Sequence, residues 1–376
     1  METRNKTLLK ACTAVAICCS LGCNASHAYD GSAVGPDFAT GETFENFTDY
    51  GNWAGFTGGV YAGNQAINSV NNTFKNNTNT KGQLYGLAIG GGAIYTKARA
   101  VTIRNGVFES NRSTSTDGPT GGGAIMVAGG NDGGTITDTK FFSNSAALDG
   151  GALYLNRAKD YIISGDEALE SSIFRGNTAG NVGGAIYIDD ESVITINNTL
   201  FETNQAVNGG AIYIDGSTLN LDNVKFLTNS ANRGGAIFVG TTTTSAADEI
   251  TLNINNTVFE SNNASDGAAI YLRNADFETN HISGSTFKGN KATTRGGAVF
   301  VENSSLTIEN SRFEGNEAAN RGGAIVFEAN KTNTPNPADA NKTLEIINTD
   351  FIGNKTGQNS GGAIYINASL DNSVHG

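Results

Sequence analysis

The 376-residue chain has no cysteine beyond residue 23 and contains little proline, tryptophan or charge. All four cysteines (Cys12, Cys18, Cys19 and Cys23) lie near its start, so the remainder forms neither disulfides nor thiolate metal sites. Four prolines and 16% charged residues argue against a disordered tail. A net charge of -12 argues against a nucleic-acid binder, because such proteins displace phosphate counterions with a basic surface. Glycine (49) and asparagine (47) are abundant instead, which indicates many tight turns.

The first 28 residues have the layout of a secretory signal peptide. Its start carries the basic residues Arg4, Lys6 and Lys10, an apolar run extends over 8–21, and the small-x-small site Ser26-His27-Ala28 follows. The run is shorter than the roughly 20 residues of a membrane-spanning helix. We therefore expect export and cleavage after Ala28, with lipidation at Cys23 as the alternative.

A repeat organises the rest of the chain. Phenylalanine followed three residues later by asparagine occurs ten times in register, and each pair is followed by a Gly-Gly-Ala-aliphatic stretch, which one unit replaces with Gly267-Ala268-Ala269. The pairs are Phe74/Asn77, Phe108/Asn111, Phe141/Asn144, Phe174/Asn177, Phe201/Asn204, Phe226/Asn229, Phe259/Asn262, Phe287/Asn290, Phe313/Asn316 and Phe351/Asn354. The mean period is 30 residues. A period of this length is typical of solenoids.

Short strands fill each repeat. An aliphatic–aromatic–aliphatic run follows Gly-Gly-Ala, as at Ile186-Tyr187-Ile188, and an alternating run such as Leu219-Asn220-Leu221 comes after the next turn. Both patterns predict β-strands, and no stretch has a helical apolar period. We therefore predict an all-β parallel β-helix of about 11 or 12 coils, each adding roughly 4.8 Å.

The motif residues are predicted to have structural roles, because equivalent positions of successive coils stack as columns. We expect an internal phenylalanine column, asparagines in turns or amide ladders, and paired glycines where coils approach closely. The residues we assign to this structural repeat are Phe174, Asn177, Gly183, Gly184, Phe201, Asn204, Gly209, Gly210, Phe226, Asn229, Gly234, Gly235, Phe313, Asn316, Gly322 and Gly323.

The paired Phe-x-x-Asn and Gly-Gly-Ala-aliphatic motifs, over about 71–366, resemble the passenger region of chlamydial polymorphic membrane proteins and related β-helical autotransporters. The resemblance implies a right-handed, pectin-lyase-like β-helix that is surface-exposed and adhesive. It attributes adhesion to the ten pairs of motifs, and implies export through a C-terminal outer-membrane barrel.

The chain departs from that family at its end, since only ten residues follow Ile366 and a barrel needs well over about 100. We expect a fragment; the alternative is a passenger released or held by another route. The predicted divisions are a signal peptide (1–28), an N-terminal cap with irregular first coils (29–70), the repeat domain (71–366) and a truncated C-terminal end (367–376).

Residues with catalytic chemistry are sparse. His281 has no acidic partner close in sequence, and His375 lies beside the C-terminus. Asp189-Asp190-Glu191 is the densest acidic cluster; it suits a divalent cation, but a solvated acidic turn is the preferred interpretation. We assign no catalytic residue, metal site or cofactor.

Two features are candidates for binding. The first is the aromatic position of the strand after Gly-Gly-Ala, namely Tyr154, Tyr187, Tyr213, Phe238, Tyr271 and Phe300. Alternation turns these rings outward if their aliphatic neighbours point inward, leaving them either exposed or packed under loops. The second is a set of insertions at Arg112–Thr120, Ala128–Gly134, Asn156–Glu170, Thr241–Asp248 and Glu328–Lys342, most of them on one edge.

We expect a non-catalytic, exported adhesin or interaction scaffold at the cell surface, either at the outer membrane or outside the cell. Its partner would be a surface protein or glycan of a host or neighbouring cell. The alternative is a polysaccharide-binding or polysaccharide-cleaving β-helix of the pectate-lyase kind, because that fold hosts both classes.

Overall fold

The computed structural model describes residues 38–368, apart from 39, 49–50, 54–55, 65, 82–89, 98–99, 119, 130–132, 241–249, 276–279, 330–341 and 358–359. Within these ranges the regular structure is β-strand, and no helix long and apolar enough to cross a bilayer occurs. The predicted signal peptide and the extreme C-terminus lie outside the described residues.

Three long sheets of parallel strands form the walls of the solenoid, and each coil contributes one strand to each wall in turn. Sheet 1 follows the paired glycines. Its eleven strands are Tyr61–Gly63, Ile94–Lys97, Ile125–Ala128, Leu153–Asn156, Ile186–Asp189, Ile212–Ile214, Ile237–Gly240, Ile270–Arg273, Val299–Glu302, Ile325–Ala329 and Ile364–Ala368.

Sheet 2 contains the alternating runs. Its ten strands are Ile67–Val70, Val101–Arg104, Gly134–Thr137, Tyr161–Ser164, Val193–Asn197, Thr218–Asp222, Thr251–Asn255, Asn280–Ser283, Leu306–Glu309 and Leu344–Ile347.

Sheet 3 contains the motif phenylalanines. Its eleven strands are Thr43–Glu45, Thr73–Lys75, Val107–Glu109, Lys140–Phe142, Ser172–Arg175, Thr199–Glu202, Lys225–Leu227, Val258–Glu260, Thr286–Lys288, Arg312–Glu314 and Asp350–Ile352.

Short strands form the corner between sheet 3 and the next glycine pair, in two four-stranded sheets. They are Thr78–Asn79, Arg112–Ser113, Ser145–Ala146 and Thr178–Ala179, then Asn263–Asp266, Lys291–Arg295, Glu317–Ala318 and Lys355–Thr356. An antiparallel pair, Gly51–Trp53 and Phe56–Gly58, lies near the N-terminal end. This stacking of parallel strands confirms the predicted all-β solenoid.

The phenylalanine column fills the core. Consecutive rings from Phe44 to Phe351 stack with centroids 4.5–5.0 Å apart and interplanar angles of 16° or less. Phe44, which has no asparagine three residues later, adds an eleventh ring to the ten expected from the motif. It belongs to the region predicted as cap and irregular coils, and its strand already pairs in register with Thr73–Lys75.

The motif asparagines form a continuous ladder beside the rings. In each coil from Asn77 to Asn316, the backbone N–H and Nδ2 both donate to Oδ1 of the motif asparagine in the next coil, as Asn204 does to Asn229. The Nδ2–Oδ1 distances are 2.8–3.1 Å. From Asn77 to Asn354, each Nδ2 also donates to the carbonyl of a core phenylalanine one coil back. From Asn77 to Asn316 the ladder satisfies polar groups that are completely buried.

The two asparagine columns differ in backbone conformation. The asparagine three residues before the phenylalanine takes positive φ in all seven coils that carry it, from 45° at Asn348 to 56° at Asn71. In the ladder, by contrast, the residue just before the motif asparagine has positive φ, for example Thr203 and Thr228. One column therefore turns the chain, and the other cross-links the coils.

The paired glycines are required for two different reasons. Gly183 has φ of 64°, a conformation that side-chain-bearing residues rarely adopt. A Cβ on Gly184 would lie 2.0 Å from the carbonyl oxygen of Gly210 in the next coil. The first glycine therefore makes the turn, and the second lets neighbouring coils approach.

The predicted insertions have a mixed outcome. Asn156–Glu170 contains the regular sheet 2 strand Tyr161–Ser164, so the prediction that this whole segment is an insertion is wrong. Tyr161, the first residue of this strand, is buried and occupies a core position that the alternating pattern did not reveal. Thr241–Asp248 and most of Glu328–Lys342 lie outside the described residues.

Candidate functional site

The six aromatic residues proposed for binding lie in one column on the outer side of sheet 1. Register places Tyr154, Tyr187, Tyr213, Phe238, Tyr271 and Phe300 beside one another in successive coils. Their aliphatic neighbours on the same strands point into the core. The rings pack together in two clusters that are separate from the core. We call these six rings the outer aromatic column.

Most of these rings are not exposed. Tyr154 (3%), Tyr213 (7%), Phe238 (5%), Tyr271 (2%) and Phe300 (0%) are all buried. Tyr187, which does not belong to that buried group, is half-buried. The interpretation as an exposed aromatic stripe is therefore wrong for five of the six, because neighbouring side chains cover them. Whether the column binds a partner stays a prediction.

The column changes in character along the solenoid. Tyr213, Phe238, Tyr271 and Phe300 stack face to face, with interplanar angles of 9° or less and centroids 4.7–5.1 Å apart. Tyr187 is instead inclined at 47° to Tyr154 and at 62° to Tyr213. The regular stack therefore breaks at Tyr187, the one residue of the six that is not buried.

Two columns of mostly polar residues flank the rings. The leading column comes just before the paired glycines, and the trailing column follows the ring by two residues on the same strand. The leading column contains Asp149, Val182, Asn208, Arg233, Asp266, Arg295 and Arg321. The trailing column contains Asn156, Asp189, Asp215, Gly240, Arg273, Glu302 and Glu328.

In the C-terminal half, arginines of the leading column lie over the rings. The Cζ atom of Arg295 is 4.5 Å from the centroid of Phe300, and Arg321 and Arg233 lie similarly over Tyr365 and Tyr271. Such cation–π contacts are favourable and also exclude water from the ring. They explain part of the burial of the column.

Carboxylates on both sides hold these arginines. Arg295 donates from Nε and Nη2 to the two oxygens of Asp266 at 2.9 and 3.2 Å, and from Nη1 to Oε2 of Glu328 at 3.1 Å. Arg321 lies 3.5 Å from the second oxygen of Glu328. This network ties the leading and trailing columns together across the rings.

The N-terminal half of the site has carboxylates with neutral partners. Asn181 donates to Asp149 at 2.9 Å, while the hydroxyl of Tyr154 and Nδ2 of Asn156 donate to one oxygen of Asp189 at 2.9 and 3.2 Å. Among the described part of the chain, no lysine or arginine forms an ion pair with Asp149 or Asp189.

Burial changes the acidity of these groups. It raises the pKa of Asp149 to about 6, an effect that Asn181 partly offsets and the charge of Asp189 increases. Burial likewise raises the pKa of Asp189, with Asp215 adding to the effect. The pKa values of the Tyr154 and Tyr187 hydroxyls rise for the same reason, so both remain protonated at neutral pH.

The three residues of the acidic cluster identified in the sequence have different surroundings in the fold. Asp189 lies beside the rings, whereas Asp190 pairs with Arg157 at 2.7 Å and Glu191 with Lys159 at 3.6 Å. No group of three potential metal ligands comes together in the described residues. His281 meets Glu309 of the next coil at 3.3 Å. His375 lies outside the described residues.

The repeat motifs themselves are inaccessible. The nine motif phenylalanines from Phe74 to Phe313 and the nine motif asparagines from Asn77 to Asn316 have no exposed surface. In the folded chain a partner would therefore contact the intervening side chains or the outer faces rather than these residues. This limits the role that the resemblance implied for the motifs.

Comparison with known proteins supports the fold and the repeat. Residues 168–313 match the family described as "Right handed beta helix region", and residues 310–328 match the Chlamydia polymorphic membrane protein repeat. The fold is thus a right-handed parallel β-helix. The chain resembles the β-helical passenger regions of polymorphic outer membrane proteins.

One curated relative is the metabotropic glutamate receptor-like protein R of Dictyostelium discoideum, which is 30% identical over 154 residues. The matched segment covers 41% of this chain but only 8% of the relative. No solved structure matches the chain.

Proposed function

We propose that this chain is an exported, cell-surface β-helix passenger that acts as a non-catalytic adhesin or interaction scaffold. The observation that carries the proposal is that constant and variable residues of the repeat lie in different places. Its constant residues are buried as the phenylalanine column and the asparagine ladder, whereas exposed side chains such as Arg175 and Asp222 differ from coil to coil. The polymorphic membrane protein repeat at residues 310–328 supports the same class.

A scaffold of this kind presents side chains at fixed spacing. Sheet 3 illustrates this on its outer face, where neighbouring coils pair Lys75 with Glu109 and Lys225 with Glu260. Exposed pairs of this type contribute little stability, so their positions are open to change without loss of the fold. The proposed partner is a protein or glycan on a host or neighbouring cell, and the proposed location is the outer membrane surface or the extracellular medium.

Binding of the purified full chain to cultured cells, measured by flow cytometry with fluorescently labelled protein, tests the proposal. We expect saturable binding that unlabelled chain displaces. A β-helical protein without these motifs is the control for nonspecific adsorption. Absence of saturable binding to every epithelial, phagocytic and bacterial cell type examined would contradict an adhesive function.

A polysaccharide-directed function is the second candidate, because of the carboxylates beside Tyr154 and Tyr187. A half-buried carboxyl group with a raised pKa, as in Asp149, suits a general acid, and an aromatic ring suits contact with a sugar. Calcium-dependent release of unsaturated uronates from polygalacturonate, lost in Asp189→Asn, would favour this candidate over adhesion.

A further inference from the structure

The outer face of sheet 2 differs from that of sheet 3 in its charge. Over five successive coils, two parallel rows of side chains point outward from sheet 2. The first row is Thr135, Ile162, Thr195, Asn220 and Asn253, and the second lies two residues further along each strand. Of these ten residues only Asp222 is charged. We call them the neutral face. Among the ten outward residues of sheet 3 in the same coils, five are charged, namely Lys140, Arg175, Glu202, Lys225 and Glu260.

The polar groups of the neutral face are not used up within the protein. In the described part of the chain, the hydroxyls of Thr135, Ser164 and Thr195 form no hydrogen bond. Nδ2 of Asn253 donates to Oδ1 of Asn220 at 2.9 Å, which leaves Nδ2 of Asn220 and Oδ1 of Asn253 for other partners. Hydroxyls and amides both donate and accept. The face therefore offers donors and acceptors together.

The single charge and the single large apolar residue of this face have definite places. The carboxylate of Asp222 accepts a hydrogen bond from Nδ2 of Asn256 at 2.9 Å, so a neutral amide holds it. Ile162, which is 42% exposed, lies between Thr135 and Thr195 in the first row. An apolar surface is thus surrounded by hydrogen-bonding groups.

This composition selects among classes of partner. An acidic ligand finds no basic side chain on the face and is repelled by a chain of net charge -12. Tryptophan, tyrosine and arginine, which dominate the hot spots of protein–protein interfaces, do not occur among these ten residues. A neutral sugar chain fits better, because its hydroxyls donate and accept while its C–H groups are apolar.

We propose that the neutral face binds an uncharged polysaccharide that lies across successive coils. A repeating ligand suits a surface whose polar groups recur about every 4.8 Å along the solenoid. The hydroxyls and amides would exchange hydrogen bonds with sugar hydroxyls, and Ile162 would contact sugar C–H groups. This inference deepens the proposed interaction function, on which it rests for the presence of a glycan partner. It is independent of the carboxylates beside Tyr154 and Tyr187.

The test is electrophoresis of the full chain in native gels that contain one soluble polysaccharide each. Galactomannan, xyloglucan and dextran are the neutral probes, and polygalacturonate is the acidic one. We expect at least one neutral polysaccharide to retard the chain and polygalacturonate not to do so. Retardation by polygalacturonate alone, or by none of the four, would overturn the proposal.

Thr195→Lys places a long charged side chain in the middle of the face. It is expected to weaken binding of the retarding polysaccharide at least about tenfold, because the ammonium group would lose its hydration under a neutral ligand. Thr286→Lys is the matched control, since Thr286 is a half-buried outward residue of sheet 3. Unchanged binding in Thr195→Lys, or an equal loss in Thr286→Lys, would overturn the assignment to this face.

Asn220→Asp replaces Thr195→Lys if that variant fails to fold. It keeps the acceptor for Nδ2 of Asn253 and has almost the same shape, but it adds a charge to the first row. We expect binding to weaken about tenfold for the same reason. Unchanged binding would count against the face.

Ile162→Ala tests the apolar contact. We expect binding to weaken about fivefold, because roughly half of this side chain is available to be covered by the ligand. Ile352→Ala is the matched control, since Ile352 is 43% exposed on sheet 3. Equal effects of the two variants would contradict a contact at Ile162.

Cell binding of the same variants separates this inference from the proposed function. Saturable cell binding, without retardation by any neutral polysaccharide, would overturn the neutral face as a binding site and leave adhesion standing. Retardation that Thr195→Lys abolishes, without binding to any cell, would support the site and contradict adhesion.

Discussion

Oδ1 of Asn204 accepts two hydrogen bonds from Asn177, one from its backbone N–H and one from Nδ2, both at 3.0 Å. Nδ2 of Asn204 in turn donates to the carbonyl of Phe174 at 2.9 Å. One side chain therefore satisfies three buried groups of the preceding coil. The same relationship recurs along the ladder, so the solenoid depends on it at every level.

Replacing Asn204 with alanine should destabilise the chain strongly. Two donors of Asn177 and the carbonyl of Phe174 would lose their partners in a site that water does not reach, at a cost of roughly 2–4 kcal/mol. The midpoint of urea unfolding, followed by circular dichroism, measures the change. Asn220→Ala is the control, because Asn220 belongs to a partly buried pair with Asn253 on the outer side of sheet 2. Equal losses in the two variants would contradict a special role for the ladder.

Replacing Phe226 with alanine should be comparably costly. Its ring is fully buried and stacks on both Phe201 and Phe259 at 4.9 Å. Removing it leaves a cavity between two coils, which costs roughly 3–5 kcal/mol. Leu227→Ala, one residue along and facing outward, should change the unfolding free energy by less than about 1 kcal/mol. A Phe226→Ala effect as small as that control would refute the stacked core.

These two columns were predictable from the sequence, because the spacing of Phe226 and Asn229 repeats in every unit and equivalent residues of a solenoid stack. The side chains that cover the outer aromatic column could not be predicted in this way. Arg295 lies five residues before Phe300, and its acceptor Glu328 comes from the following coil. Alternation within one strand shows which way a ring points, but it says nothing of side chains that reach it from two other coils.

The same limit applies to Asp189. In sequence it belongs with Asp190 and Glu191, whereas in the fold its partners are Tyr154 and Asn156 of the preceding coil. For Tyr161 the error is of another kind, because a regular strand was predicted to be part of an insertion. Local composition predicted the columns that repeat and missed the contacts that differ from coil to coil.

Asp149 should make the stability of the chain depend on pH. Burial raises its pKa in the folded state to about 6, above the unfolded value of 3.8. The folded chain therefore binds the proton more tightly, and the contribution of this group to stability increases as pH falls from above 6 towards 4. Asp149→Asn should melt at a higher temperature than the wild type at pH 7.5, and the difference should shrink towards pH 4.

Thermal unfolding of both proteins over that pH range measures the effect. Asp222→Asn provides the control for removing a charge from an acidic protein. An Asp149→Asn variant that is less stable than the wild type at pH 7.5 would contradict the assignment of a destabilising buried carboxylate.

Arg295→Ala should destabilise the C-terminal half of the site. The side chains of Asp266 and Glu328 are only 11% and 8% exposed. Removing Arg295 takes both hydrogen bonds of its guanidinium from Asp266, leaves Glu328 with Arg321, and uncovers Phe300. We expect a loss of roughly 2–4 kcal/mol, between the values for exposed and fully buried ion pairs. Arg312→Ala, which removes an exposed pair with Glu314, should cost less than about 1 kcal/mol. Urea unfolding of both variants measures the difference, and an Arg295→Ala loss no larger than that of Arg312→Ala would contradict a stabilising role for this network.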